Sequence, residues 1–192
     1  MSTNIRSQWL LLVYKIPPEP AKNRVAVWRK IKGLGAVYIQ NSVCLIPANS
    51  EHQRHLRIIQ NDITSNGGEA LLMEAVGLDK KQEVLVVEKF NEDRDADYGE
   101  FISKCAEFIT EVEQEISVKH FTYAELEEND QDVKKLRNWM DKVKRIDFYD
   151  APLRTEAASK LEKCESLLET FTQSVFDAEH GSSAGKTIKK VR

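Results

Sequence analysis

The sequence predicts an α+β protein in which a β-α-β-β-α-β unit is followed by a helical half. Short β-prone runs alternate with amphipathic segments over residues 1–78, and apolar residues recur at helical spacing from residue 98 onward. A composition of 41% hydrophobic and 31% charged residues is typical of a soluble globular chain. The first apolar run, Trp9–Ile16, is too short to span a bilayer, so we expect a cytoplasmic protein.

The first strand and the first helix are predicted on either side of the Pro17-Pro18 pair. The uninterrupted apolar run over residues 9–16 favours a strand in the middle of a sheet or one covered on one face by helices. Apolar residues then repeat at helical spacing from Pro20 to Lys32, and the glycines at 33 and 35 end this helix. The apolar stripe of the helix consists of Ala21, Val25, Trp28 and Ile31.

A hairpin, a second helix and a last strand complete the first unit. Two β-prone runs between residues 36 and 46 are joined by a short polar turn, which predicts a hairpin. Asn49 or Ser50 is expected to cap the second helix, with Gly67-Gly68 as its left-handed stop and a strand over residues 69–76 after it. This order is ferredoxin-like, and both helices are expected to cover one face of a four-stranded antiparallel sheet.

The rest of the chain is predicted to be mostly helical. Residues 79–93 suit either a fifth strand or a helix, and their charged flanks favour the helix. A helix with a clear apolar stripe follows from Tyr98. The capping box Thr122–Glu125 opens another helix, in which we expect a break at Asn129-Asp130.

A last long helix, over residues 152–179, carries a narrow apolar seam of the coiled-coil type. The seam is predicted to pack against the 98–118 helix of the same chain, and pairing with a partner subunit is the alternative. Residues 181–192, rich in Gly, Ser and Lys, are predicted to be a disordered basic tail. The expected organisation is therefore an α/β unit over 1–78, a helical region packed on it over 79–180, and the tail.

Charge is distributed unevenly along the chain. Residues 1–78 contain 9 basic and 5 acidic residues, and residues 79–180 contain 15 basic and 26 acidic residues. Residues 181–192 contain 4 basic residues and no acidic residue. The formal net charge is −3, which excludes a uniformly basic nucleic-acid binder. A local basic surface on the first unit is still compatible with these counts, because binding follows the local field.

The sequence contains no convincing active site. It has no Walker motif, no zincin pattern and no Ser/His/Asp or Cys/His signature. Cys44, Cys105 and Cys164 are far apart among apolar neighbours, so core packing is favoured over reactivity. His52 and His55 share a helix without a third strong ligand, which favours ordinary helix surface. We therefore predict no enzyme activity, no metal site and no cofactor.

Two clusters of charged residues are candidate functional sites. The basic residues of the two helices of the first unit would contact phosphates if the helices pack side by side. Ordinary solvated charge is an equally weighted alternative. The residues predicted to bind nucleic acid are Arg24, Arg29, Lys30, Lys32, Arg54 and Arg57.

The second candidate is a partly buried ion-pair site in the helical half. Arg94 or Arg145 is expected to pair with Asp147, with Tyr98 nearby, if the segments that carry them pack together. A structural ion pair is favoured over a ligand pocket.

Several short motifs occur in a characteristic order. The first three motifs are Trp9–Val13, the segment Arg24–Ala36 with Trp28-Arg29 and Gly33-Leu34-Gly35, and Val43–Pro47. They are followed by three more motifs: Phe90–Tyr98, Leu136–Trp139 and Arg145–Phe148. Together they resemble the amino-terminal domain of ChrB-type chromate-resistance regulators over roughly residues 8–178. The motifs are individually short, and their order carries the specificity.

The resemblance implies a cytosolic protein of chromate resistance, and in characterised relatives a transcription regulator that controls a chromate efflux operon. Such regulators usually carry a further carboxy-terminal domain, which is not expected after residue 180, so chromate as an effector is left open. We therefore predict a DNA-binding regulatory or accessory protein. The alternative is a protein-interaction module that forms a homodimer and binds no nucleic acid.

Overall fold

The computed structural model describes residues 8–184, with side chains for residues 8–179. It is a mixed α/β structure with a four-stranded antiparallel sheet and five helices. The elements are β1 (Gln8–Lys15), α1 (Ala21–Gly33), β2 (Val37–Gln40), β3 (Val43–Pro47), α2 (Ser50–Ser65), β4 (Glu69–Val76), α3 (Lys80–Ser117), α4 (Tyr123–Arg145) and α5 (Arg154–Ala184).

The strands lie in the order β2-β3-β1-β4, and each neighbouring pair is antiparallel. The central position predicted for the first strand is confirmed, since β1 is hydrogen-bonded to β3 on one side and β4 on the other. Asn49 caps α2 as expected, because its side-chain oxygen accepts a hydrogen bond from the His52 amide at 2.7 Å. Gly67 follows α2 with a φ of 75°, which is the predicted left-handed stop.

The chain divides into two compact units. The first, which we call the sheet unit, consists of residues 8–94 and Arg145–Ala151; the second, the helical unit, consists of Asp95–Lys144 and the described residues from Pro152 onward. The organisation predicted from the sequence, with boundaries at 78 and 180, stays a prediction. The tail residues 185–192 lie outside the described part of the chain.

Both α1 and α2 pack on one face of the sheet, as the sequence predicted. Their contact residues form one apolar core, which includes Leu10, Leu12, Val27, Ile31, Cys44, Ile46, Leu56, Ile59 and Ile63. The predicted stripe of α1 is wrong in part, however. Ile31 is fully buried, but Trp28 and Val25 are 50% and 44% exposed, and Val27 occupies the buried position instead. The core side of α1 is therefore rotated away from the predicted stripe.

The opposite face of the sheet is partly covered by the first turns of α3. Phe90 packs there against Trp9, Val37 and Leu45, and all four side chains are buried. The indole Nε1 of Trp9 donates a hydrogen bond to the hydroxyl of Tyr149 at 2.8 Å, which satisfies the polar atom of a buried ring. The sheet unit consequently has apolar cores on both faces of the sheet.

The helix favoured over residues 79–93 is confirmed, and the break predicted in the helical unit is absent. Residues 84–87 are helical, and α3 continues without a break through Tyr98 to Ser117. α4 also runs through Asn129-Asp130, where we expected a break. The reason is that the Asn129 side chain is buried and donates a hydrogen bond to Glu115 Oε2 at 2.8 Å, so that this polar residue is satisfied within the helix packing.

The apolar seam of α5 is buried inside the helical unit. Ala157, Cys164, Phe171 and Val175 are fully buried along it. The Cys164 thiol donates to the backbone carbonyl of Cys105 on α3 at 3.7 Å, so the predicted packing against this helix is confirmed. α5 extends to Ala184, four residues into the segment predicted as a tail. Among the described helices, none is long and apolar enough to cross a membrane.

Candidate nucleic-acid interface

Helix α1 presents most of its surface to solvent. Val27 and Ile31 hold it against the sheet, and its remaining side chains are exposed or half-buried. Lys30 and Lys32 lie in its last turn, where positive charge interacts favourably with the carbonyl end of the helix dipole. The basic character predicted for this helix is therefore displayed on the protein surface.

Two of the predicted cations are neutralised by carboxylates. Lys30 Nζ forms an ion pair with Asp62 of α2, and Lys32 Nζ lies 2.6 Å from Asp93 Oδ2 on α3. The Lys32 ammonium is also 6.0 Å from the centre of the Tyr38 ring. These contacts connect α1 to two neighbouring helices, and they make Lys30 and Lys32 poorer candidates for phosphate contacts than their sequence position indicates.

Arg24 and Arg29 have no such partner in the described part of the chain. Both are exposed, and within the described residues no carboxylate oxygen lies within 4.0 Å of either guanidinium. An exposed guanidinium group without a counter-charge keeps its coplanar N–H donors available to bind an anion. Of the predicted cations of α1, the structure therefore leaves Arg24 and Arg29 available to a ligand.

Arg54 and Arg57 are also exposed, but they lie towards the other end of the helix pair. Asn23 contacts Asn66 and Lys30 contacts Asp62, so α1 and α2 run in opposite directions. From the helical rise, Arg24 and Arg57 are separated by roughly 15 Å along the helix axes. Arg24 and Arg57 are thus not direct neighbours on this surface.

The residues of the predicted ion-pair site differ in burial. Arg94 and Asp147 are both buried in the sheet unit, and Asp147 Oδ1 accepts a hydrogen bond from the Ala151 amide at 3.1 Å. Arg145 is exposed, and in the part of the chain that the structure describes it has no carboxylate within 4.0 Å. Tyr98 is fully buried in the helical unit. The burial of Arg94 and Asp147 favours a structural role over a ligand site.

The three cysteines are buried, as the sequence predicted. Burial raises the pKa of the Cys44 thiol to about 12. A hydrogen bond with Cys164 and burial also raise the pKa of the Cys105 thiol. Because the thiolate is the reactive form, these two cysteines are poor nucleophiles at neutral pH.

Sequence reasoning missed Lys15 at the end of β1. Its side chain is exposed and lies with Arg24 along a groove of about 430 Å³ beside α1. The signal in the sequence is a cation that interrupts the apolar run between Tyr14 and Ile16. Lys15 was not recognised as a candidate because its proximity to Arg24 depends on where α1 packs on the sheet, which the local sequence does not show.

Comparison with known proteins identifies the family. The family model described as "Protein ChrB, N-terminal" matches residues 24–182, which is more than half of the chain. The chain belongs to this ChrB N-terminal family. The resemblance predicted from the order of the motifs is thereby confirmed, and the membership associates the chain with chromate resistance.

A curated relative agrees with the ChrB assignment. Over 94 residues, 49% of this chain, the sequence is 30% identical to Protein ChrB of Cupriavidus metallidurans. The matched stretch spans 28% of the length of that relative.

Proposed function

We propose that this member of the ChrB N-terminal family is a cytoplasmic, non-enzymatic regulatory protein of chromate resistance that binds DNA. One observation carries the DNA-binding proposal. Arg24 and Arg29 are exposed and have no counter-charge among residues 8–179, whereas Lys30 and Lys32, the other predicted cations of the same helix, are paired with carboxylates. A regulator of a resistance operon needs such an anion-binding surface in order to hold the phosphate backbone of its operator.

Binding through these arginines would be mainly electrostatic. Each guanidinium can donate two hydrogen bonds to a phosphate, and every phosphate contact releases condensed counterions from the DNA. Arg54 and Arg57 provide a second pair of exposed cations on the same unit, so that a duplex long enough to reach both pairs gains further contacts. Affinity should therefore fall steeply as salt rises.

Charge reversal of both arginines should remove most of the affinity for duplex DNA. In a fluorescence-anisotropy titration with the duplex upstream of the chain's own gene, we expect R24E/R29E to bind about 100-fold more weakly than the wild type at low salt. Two charge-assisted contacts of roughly 1.5 kcal/mol each are then lost. The slope of log affinity against log salt should also become shallower by about 2, since about 0.9 is lost with each contact.

The matched control is K142E/K144E, which makes the same change in charge on two exposed lysines of α4. It should retain affinity within about threefold, since neither lysine lies on the sheet unit. If both double variants lose affinity equally, the proposed interface is wrong. If the wild type does not bind the duplex at low salt, the DNA-binding function is wrong.

We also propose that residues 8–76 form a ferredoxin-like unit. The element order β-α-β-β-α-β, the strand order β2-β3-β1-β4 and the packing of α1 and α2 on one sheet face support this assignment. In this arrangement the loops that precede the two helices lie at opposite ends of the sheet, because β1 and β3 are antiparallel.

A second candidate function is homodimerisation without nucleic-acid binding. It is favoured by the edge strand β4, where Leu71 and Met73 are 55% and 41% exposed. Their cross-strand partners on β1 are Val13 and Leu11, so an apolar surface continues from Leu11, which packs against the Phe90 cluster, to the edge of the sheet. An exposed edge strand with an apolar face can be covered by a second copy.

Light scattering at high protein concentration tests this candidate. If β4 pairs two copies, the wild type should have the mass of a dimer and L71E/M73E the mass of a monomer, because each copy would bury two carboxylates. I58E, at an equally exposed position on α2, should leave the dimer intact. A wild-type mass of 22.0 kDa would exclude the dimer.

A further inference from the structure

A groove beside α1 combines an aromatic ring with two cations. It lies between one side of the helix, the end of β1 and the turn between β2 and β3, and its volume is about 430 Å³. This volume falls within the range of about 300–1,000 Å³ that is usual for small-ligand sites. The lining residues that matter to its chemistry are Tyr14, Lys15, Ile16, Arg24, Val25 and Trp28.

The apolar part of the groove is unusually exposed. Trp28 and Val25 leave half or nearly half of their surface in contact with water, whereas Val27 and Ile31 hold the helix on the sheet. Trp28 is therefore not needed as a core residue. An indole ring that lies open in a groove presents a flat apolar surface on which a second planar ring can stack.

The charged part of the groove is positive. No acidic residue is among those that line it, and in the described residues no carboxylate oxygen lies within 4.0 Å of Lys15 or Arg24. Glu69 is the cross-strand partner of Lys15 on β4, yet the two side chains do not form an ion pair. The groove thus offers two available cations to an anionic ligand.

We infer that this groove binds one nucleotide of an unpaired nucleic-acid strand, with the base stacked on Trp28 and the adjacent phosphates held by Arg24 and Lys15. This inference deepens the proposed DNA-binding function and rests on it. A strand is favoured over a free nucleotide because Lys22 and Arg29, both exposed and without a carboxylate within 4.0 Å among the described residues, continue the positive charge along α1 outside the groove. Only a polymer contacts these cations as well.

The test compares two labelled strands that differ only in their bases. Oligothymidylate of eight nucleotides and an abasic strand with the same number of phosphates are titrated with the full chain at low salt. We expect the wild type to bind oligothymidylate about 10-fold more tightly or better, because base stacking on an aromatic side chain is worth about 1–3 kcal/mol. Indole fluorescence should also be quenched by oligothymidylate and not by the abasic strand.

Variants at the ring separate stacking from charge. W28A should bind both strands with the same affinity, and W28F should retain most of the preference because a planar ring is kept. The fluorescence change should disappear in W28F although Trp9 and Trp139 remain. I58A removes an equally exposed apolar side chain from α2 and should change nothing. Thermal unfolding should be similar for all variants, since the altered side chains are half exposed.

Duplex binding distinguishes this inference from the function on which it rests. W28A should bind the upstream duplex within about threefold of the wild type, because the proposed duplex contacts are made by Arg24 and Arg29. If the wild type binds the abasic strand as tightly as oligothymidylate, the groove does not recognise a base. If polyglutamate competes as well as the strand at equal charge, the groove recognises charge alone, and if thymidine monophosphate does so, the ligand is a free nucleotide and not a strand; either result overturns the inference. In each case the proposed duplex-binding function is unaffected, and it fails only if the duplex itself is not bound.

Discussion

G35V should lower the free energy of unfolding of the sheet unit by about 2–6 kcal/mol. Gly35 has a φ of 81°, which a β-branched residue adopts only with strain, and a Cβ at this position would lie 2.6 Å from the Cβ of Ile146. Phe148 would be 3.0 Å away. Both neighbours belong to Arg145–Ala151, the second segment of the sheet unit, so the added side chain must displace this segment.

The measurement is urea unfolding followed by far-ultraviolet circular dichroism. G33A is the matched control, because nothing lies within 4 Å of a Cβ added at Gly33, and this glycine is the last residue of α1. It should leave stability unchanged or raise it by up to about 1 kcal/mol. If G35V were as stable as G33A, the close approach of residues 146–148 to Gly35 would be wrong.

F171A should lower the free energy of unfolding of the helical unit by about 3–5 kcal/mol, because it removes a fully buried aromatic side chain and leaves a cavity. Phe171 lies on the α5 seam, and its ring meets that of Phe121 edge-on with the centroids 5.8 Å apart. Unfolding can be followed by the fluorescence of Trp139, which packs against Phe101 in the same unit.

F176A provides the comparison on the same helix. Phe176 is 40% exposed, so the same truncation should cost no more than about 1 kcal/mol. Equal losses in the two variants would contradict the burial of the seam within the unit. They would instead support the alternative in which the seam pairs with a second subunit.

Local patterns were enough to predict the order of strands and helices over residues 8–76. The cap at Asn49 and the left-handed Gly67 are encoded within a few residues of the helix that they bound, and both were placed correctly. The buried face of α1 was harder to predict, because two apolar stripes on this helix share Ile31. Trp28 lies three residues before it and Val27 four, so helical spacing cannot decide which of the two faces the sheet.

The features that sequence reasoning missed depend on contacts between distant residues. Lys30 and Asp62 are separated by 32 positions, and Lys32 and Asp93 by 61, so only the folded chain shows that these two lysines are neutralised. The unbroken α4 depends in the same way on the hydrogen bond between Asn129 and Glu115 of α3. These ion pairs make Lys30 and Lys32 the weaker candidates among the six residues predicted to bind nucleic acid. No local pattern in the sequence reveals such pairs.

Hydrogen exchange followed by mass spectrometry tests the central claim most directly. The full chain is compared with and without the upstream duplex at low salt, peptide by peptide. Contact through Arg24 and Arg29 predicts slower exchange over residues 21–33 and little change over α4 and α5. Protection confined to the helical unit, or no protection anywhere in the presence of saturating duplex, would contradict the assignment of α1 as the DNA-binding surface.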